Sequence, residues 1–86
     1  ADRDKLSARL SEIPGVEPQP SATNFLLVRL PVAGGPVVDE LKRRGVFVRR
    51  VALPDYLRVT VGTPEQNEIF LAELKSILSE SQGTAA

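Results

Sequence analysis

The chain contains no cysteine, histidine, methionine or tryptophan, and these absences exclude much chemistry. Without thiolate or imidazole there is no disulfide framework, no structural zinc site and no Ser–His–Asp or Cys–His nucleophile. The hydrophobic core must therefore hold the fold. Aromatic residues are scarce: Phe25, Phe47, Phe70 and Tyr56 are too few for a base-stacking surface, so nucleic acid is not an expected partner. No run reaches the ~18–20 apolar residues of a membrane span. The start, Ala1-Asp2-Arg3-Asp4-Lys5, lacks the basic-then-apolar order of a signal peptide. A cytoplasmic protein without membrane contact is the expectation. With 86 residues the chain has room for one small domain, 1–86, of modest stability.

Acidic and basic residues balance at eleven each, yet unevenly along the chain. Residues 1–28 carry three basic and four acidic groups, 29–58 seven and three, and 59–86 one and four. Lys42, Arg43, Arg44, Arg49 and Arg50 crowd the basic middle. Such a cluster suits a phosphorylated small molecule, and it equally suits a solvated helix end.

Leu6, Leu10 and Ile13 recur at helical spacing and predict an amphipathic helix over 3–13, stopped by Pro14-Gly15. Glu17-Pro18-Gln19-Pro20 then reads as an extended connector. The apolar run Asn24 to Leu30 predicts an inner strand covered on both faces. Gly34-Gly35-Pro36 opens a second helix, with Val37, Val38 and Leu41 on one face and Gly45 as terminator. Val46-Phe47-Val48 predicts a second strand. Tyr56 to Val61 predicts a third, with Leu57, Val59 and Val61 on one face and Tyr56, Arg58 and Thr60 on the other. Thr63-Pro64-Glu65-Gln66 is a capping box opening a last helix, whose stripe is Phe70, Leu74, Ile77 and Leu78. Residues 81–86 read as a flexible tail. The order α-β-α-β-β-α implies an α+β domain with helices packed on one face of a small sheet.

Arg58 is the first candidate for chemistry. It sits in a strand among Leu and Val, where a permanent charge is costly unless it reaches water or an anion. Its fork of donors suits a carboxylate or phosphate. Arg49 adds a second positive group if the two strands pair as a hairpin. An exposed-face arginine paired with a surface acid is the alternative. Asn24, at the head of a strand, is a weaker candidate, since such an amide commonly caps a turn. Lys5, Lys42 and Lys75 all fall on helix surfaces, where no lysine is desolvated enough to serve as a catalytic amine.

Three ordered motifs carry a resemblance. Ser21-Ala22-Thr23-Asn24-Phe25, Gly45-Val46-Phe47-Val48-Arg49, and Leu57-Arg58-Val59-Thr60-Val61-Gly62-Thr63 followed by Glu65-Gln66-Asn67 resemble the carboxy-terminal small domain of fold-type I pyridoxal-phosphate aminotransferases. Within that family the similarity is greatest to the histidinol-phosphate aminotransferases of histidine biosynthesis. The resemblance spans roughly residues 3–80. It implies that Arg58 grips the anionic end of the substrate, a carboxylate or a phosphate, and that Arg49 assists at a phosphate. Arg50 and Gln66 depart from the family pattern, which has an acid at each position, and so blur the choice of substrate.

The resemblance further implies that pyridoxal phosphate and its Schiff-base lysine belong to a large domain outside these residues, in a homodimeric parent enzyme. The 86-residue chain alone would then bind no cofactor and transaminate nothing, serving to orient the substrate. A threonine-phosphate decarboxylase-like domain, a general amino-acid aminotransferase domain and a non-enzymatic ferredoxin-like ligand-binding module remain as alternatives.

Overall fold

The computed structural model of the chain describes residues 2–19 and 24–84. The elements run α1 (Asp2–Ser11), β1 (Glu17–Pro18), β2 (Phe25–Arg29), α2 (Gly34–Arg43), β3 (Arg49–Arg50), β4 (Tyr56–Thr60) and α3 (Pro64–Thr84). The strands form an antiparallel sheet in the order β1-β2-β4-β3. The α+β class is as expected, with three helices over one face of a four-stranded sheet.

Period-two alternation sets that arrangement. Leu26 and Val28 of β2 and Leu57 and Val59 of β4 point to one side. There they join Leu6 and Leu10 of α1, Val37, Val38 and Leu41 of α2, and Phe70, Leu71, Leu74, Ile77 and Leu78 of α3 in one buried cluster. Each such leucine contributes roughly 1.5–3 kcal/mol by leaving water. The opposite face carries Phe25, Leu27, Arg29, Tyr56, Arg58 and Thr60, all half-buried or exposed. This corrects the expectation that residues 24–30 are covered on both faces. β2 is central in the sheet, but only one of its sides is packed by helices.

Helix ends follow local chemistry. At the start of α3, Thr63 Oγ1 accepts from the Gln66 N–H at 3.2 Å while Gln66 Oε1 accepts from the Thr63 N–H at 3.0 Å. The capping box forms as the sequence predicts. α2 ends with the Gly45 N–H donating to the Lys42 carbonyl and the Val46 N–H to that of Leu41, a Schellman closure with Gly45 at φ +84. At its other end, a Cβ on Gly34 would overlap the carbonyl oxygen of Tyr56, so only glycine lets α2 start this close to β4.

Four boundaries differ from expectation. Residues 46–48 are not a strand, because Val46 is engaged in closing α2 and pairing with β4 begins only at Arg49. Glu17–Pro18 pairs with β2 as an edge strand, where a proline is tolerated because one side of the strand needs no donor. α1 ends at Ser11, and Glu12 and Ile13 make i→i−3 hydrogen bonds that tighten the last turn. α3 continues to Thr84, past the point where a tail was expected. Ser21-Ala22-Thr23, Ala85 and Ala86 lie outside the described residues.

Candidate anion-binding face

β3 and β4 pair in the register Arg49↔Arg58, and β2 and β4 pair in the register Leu27↔Arg58. Residues directly opposite in an antiparallel pair point to the same side. Leu27, Arg58 and Arg49 therefore make one row across three strands on the face that no helix covers. The conditional expectation that the strands pair and join the two arginines is met.

Among the described residues these two arginines differ from the others in having no ion-pair partner. Arg9 pairs with Glu68, Arg29 with Asp55, Arg43 with Glu40, Arg50 with Asp39, and Arg44 with Glu40, Glu73 and Glu80. Among the described residues, Arg49 and Arg58 have no carboxylate within ion-pair distance. Arg49 is exposed and Arg58 half-buried. The Arg58 Nε is shielded from solvent and has no hydrogen-bond partner among the described residues, a state that costs free energy unless another group supplies an acceptor. Its guanidinium carbon lies 4.6 Å from the centroid of the Phe25 ring, within cation–π range.

A cleft of about 640 Å³ opens beside them, wrapping the sheet edge. Lys42, Arg49, Arg50 and Arg58 are among its lining residues and no acid is, so it presents positive potential to an anion. Asn24 does not line this cleft. It sits immediately before β2, where its carbonyl accepts from the Val61 N–H at 2.7 Å. The strand register sets Arg58 opposite Arg49, while Asn24 is not among the residues that line the cleft.

A second depression, of about 470 Å³, lies between α2 and α3 and includes Glu40, Arg44 and Glu80. Its charges satisfy one another. Arg44 donates through Nε to Glu40 at 3.0 Å, through one terminal nitrogen to Glu73 at 3.0 Å, and through the other to Glu80 at 2.8 Å. The Arg44 hydrogen bond, with the nearby Arg43 and Arg44 charges, holds the Glu40 carboxyl below its ordinary value of 4.5 against some desolvation. Hydrogen bonds to Glu80, Glu40 and Glu73 push Arg44 well above its ordinary range. This network ties α2 to α3 and offers no free charge to a ligand.

Sequence reasoning named both arginines but not Phe25. The parity of Phe25 in its strand was readable, but its position next to Arg58 depends on the β2–β4 register, which is a long-range pairing. Among the described residues no cluster of three metal-ligating side chains occurs, and no helix is long and apolar enough to cross a membrane.

No family model matches the chain. Curated relatives do. It is 39% identical over 84 residues to a histidinol-phosphate aminotransferase of Roseiflexus castenholzii, covering 90% of this chain and 23% of that protein. To the enzyme of the same name from Symbiobacterium thermophilum it is 52% identical over 64 residues, covering 71% and 18%. To that from Methylibium petroleiphilum it is 43% identical over 84 residues, covering 92% and 22%. The chain thus spans about a fifth of the length of these relatives.

Solved structures agree. An L-threonine-O-3-phosphate decarboxylase from Porphyromonas gingivalis superposes with TM-score 0.82 at 27% identity, over 91% of this chain and 26% of that one. The histidinol-phosphate aminotransferase from Clostridium acetobutylicum gives 0.78 at 25% identity, over 88% and 25%. By its sequence and its fold together, the chain belongs to the fold-type I pyridoxal-phosphate aminotransferase family, as a small segment similar to part of the histidinol-phosphate aminotransferases.

Proposed function

We propose that the open face of the sheet is the substrate-anion grip of a longer aminotransferase, with Arg58 as the main contact and Arg49 as the second. The observation that carries this reading is the cross-strand pair itself: two neighbouring arginines without carboxylate partners among the described residues, one with a buried, unpartnered Nε. A dianionic phosphate engages two guanidinium groups, whereas one bidentate fork satisfies a carboxylate. The relatives' names support a phosphorylated substrate. Histidinol phosphate is the first reading. Threonine phosphate with decarboxylation is the second, favoured by the TM-score of 0.82 to the decarboxylase. Both relatives favour an enzyme domain over a free-standing ligand-binding module.

The residues described here do not fit pyridoxal phosphate. Its resident site needs a desolvated lysine amine and a carboxylate facing the ring nitrogen, while Lys5, Lys42 and Lys75 are all exposed on helices. We assign cofactor binding to a large domain in the remainder of the longer enzyme, itself a homodimer. The role left to this segment is to fix the substrate's anionic end, and so the position of its reacting carbon.

Calorimetric titration of the chain with a phosphate monoester and with acetate tests the grip. Arg58→Ala should weaken both ligands, and Arg49→Ala should weaken mainly the phosphate ester. Unchanged phosphate affinity in Arg58→Ala would overturn the assignment.

A further inference from the structure

We propose that Phe25 is the positioning residue for Arg58, acting as an aromatic seat that holds the guanidinium over the open face without neutralising it. This rests on the anion-grip reading above and adds the group that orients the grip. Phe25 pairs with Thr60, two residues along β4 from Arg58, so Phe25 and Arg58 are diagonal neighbours across the β2–β4 ladder. Aromatic and long side chains reach each other across such a diagonal. They do so here, with the guanidinium carbon 4.6 Å from the ring centroid.

The chemistry of the seat matters. A carboxylate would hold an arginine in place but would cancel its charge and occupy the donors an anionic ligand needs. The negative face of a phenyl ring attracts the cation while leaving its terminal N–H groups available. Leu27, directly opposite Arg58 and half-buried, is the apolar cross-strand neighbour for the arginine stem. The shielded Nε shows that the inner part of the Arg58 side chain lies against the protein. Phe25 itself remains 39% exposed on the side away from the core, so core packing alone does not account for a phenyl ring there.

The test uses the 86-residue chain, inorganic phosphate as probe and the Arg58 Nε–Hε signal in proton–nitrogen NMR. In the unaltered chain the ring current of Phe25 should shift that signal upfield. Phe25→Leu should remove the shift and weaken phosphate roughly two- to fivefold, the factor expected for losing an exposed cation–π contact. Phe25→Tyr and Phe25→Trp, which keep a π face, should retain both. An unmoved Arg58 signal with unchanged phosphate affinity in Phe25→Leu would overturn the proposal, as would equal losses in Leu, Tyr and Trp variants whose backbone amide spectra show the fold intact. If Arg58→Ala abolishes phosphate binding while Phe25→Leu leaves it unchanged, only the seat is wrong. If Arg58→Ala has no effect, the grip and the seat fall together.

Discussion

Asn67 shows how a single side chain secures the turn that follows β4. It is the buried polar residue among those described, 8% exposed, and its amide brackets Gly62. Asn67 Oδ1 accepts from the Gly62 N–H at 3.0 Å and its Nδ2 donates to the Gly62 carbonyl at 3.3 Å. Asn67→Ala removes both contacts and leaves two backbone groups without these partners, so it should cost about 1–3 kcal/mol. Denaturant unfolding of the variant measures it, and a loss below about 0.5 kcal/mol would mean that water replaces the amide freely. The sequence showed Asn67 within a family-like motif but could not show that it faces the turn. Arg58 was legible as a charge in an apolar strand, because the cost of burying a guanidinium is a local fact. Its seat on Phe25 was not, because that depends on register.

At the scale of elements, local signals were the readable ones. Thr63 and Gln66 specify the start of α3 through hydrogen bonds three residues apart, and Gly45 specifies the end of α2 through its backbone freedom. Thr63→Ala should therefore cost about 1 kcal/mol, or roughly 4–8 °C of melting temperature in a domain this small. The run 46–48 misled because its apolar residues look like a strand, while its first N–H is already committed to the Leu41 carbonyl.

The network around Arg44 depends on pairing between α2 and α3, so the charge cluster in the sequence could be read as a helix end but not as a clamp. Its pH dependence follows from the direction of each shift. Glu40 is held below 4.5 in the fold, so its contribution is present above that pH and fades as the carboxyl protonates on further acidification. Arg44 is raised, so its contribution persists through the neutral range. Arg44→Gln should thus destabilise the chain most at neutral pH, where Glu40, Glu73 and Glu80 are left as neighbouring negative charges. The gap in melting temperature between variant and original should narrow below about pH 4.5. A gap constant from pH 3 to 7 would contradict this account of the clamp.

For the whole molecule, the fold class and the two arginines were readable in the sequence, while the uncovered face of the sheet was not. Alternation in β4 was clean, but β2 carries Phe25 and Leu27 on its open side and so looks buried throughout. Phe47 is 75% exposed and Ile69 is 54% exposed, and both line a groove of about 330 Å³ beside the same sheet edge. If the remainder of the enzyme covers this groove, the isolated chain should self-associate at high concentration, and Phe47→Ser should reduce that association in sedimentation measurements.

The central claim, that Arg58 and Arg49 grip a substrate phosphate, is tested most directly by steady-state kinetics of the proposed longer aminotransferase carrying this segment. Arg58→Ala and Arg49→Ala would each be assayed with histidinol phosphate and with an unphosphorylated amino acid such as glutamate. Losing a charge-assisted contact made to the bound substrate costs about 2–4 kcal/mol, or roughly 30- to 1000-fold in kcat/KM. The account predicts that Arg58→Ala loses this much with both substrates, whereas Arg49→Ala loses it with histidinol phosphate and far less with the amino acid. Equal small losses for Arg49→Ala with both substrates would contradict the phosphate assignment, and an unimpaired Arg58→Ala would contradict the site itself.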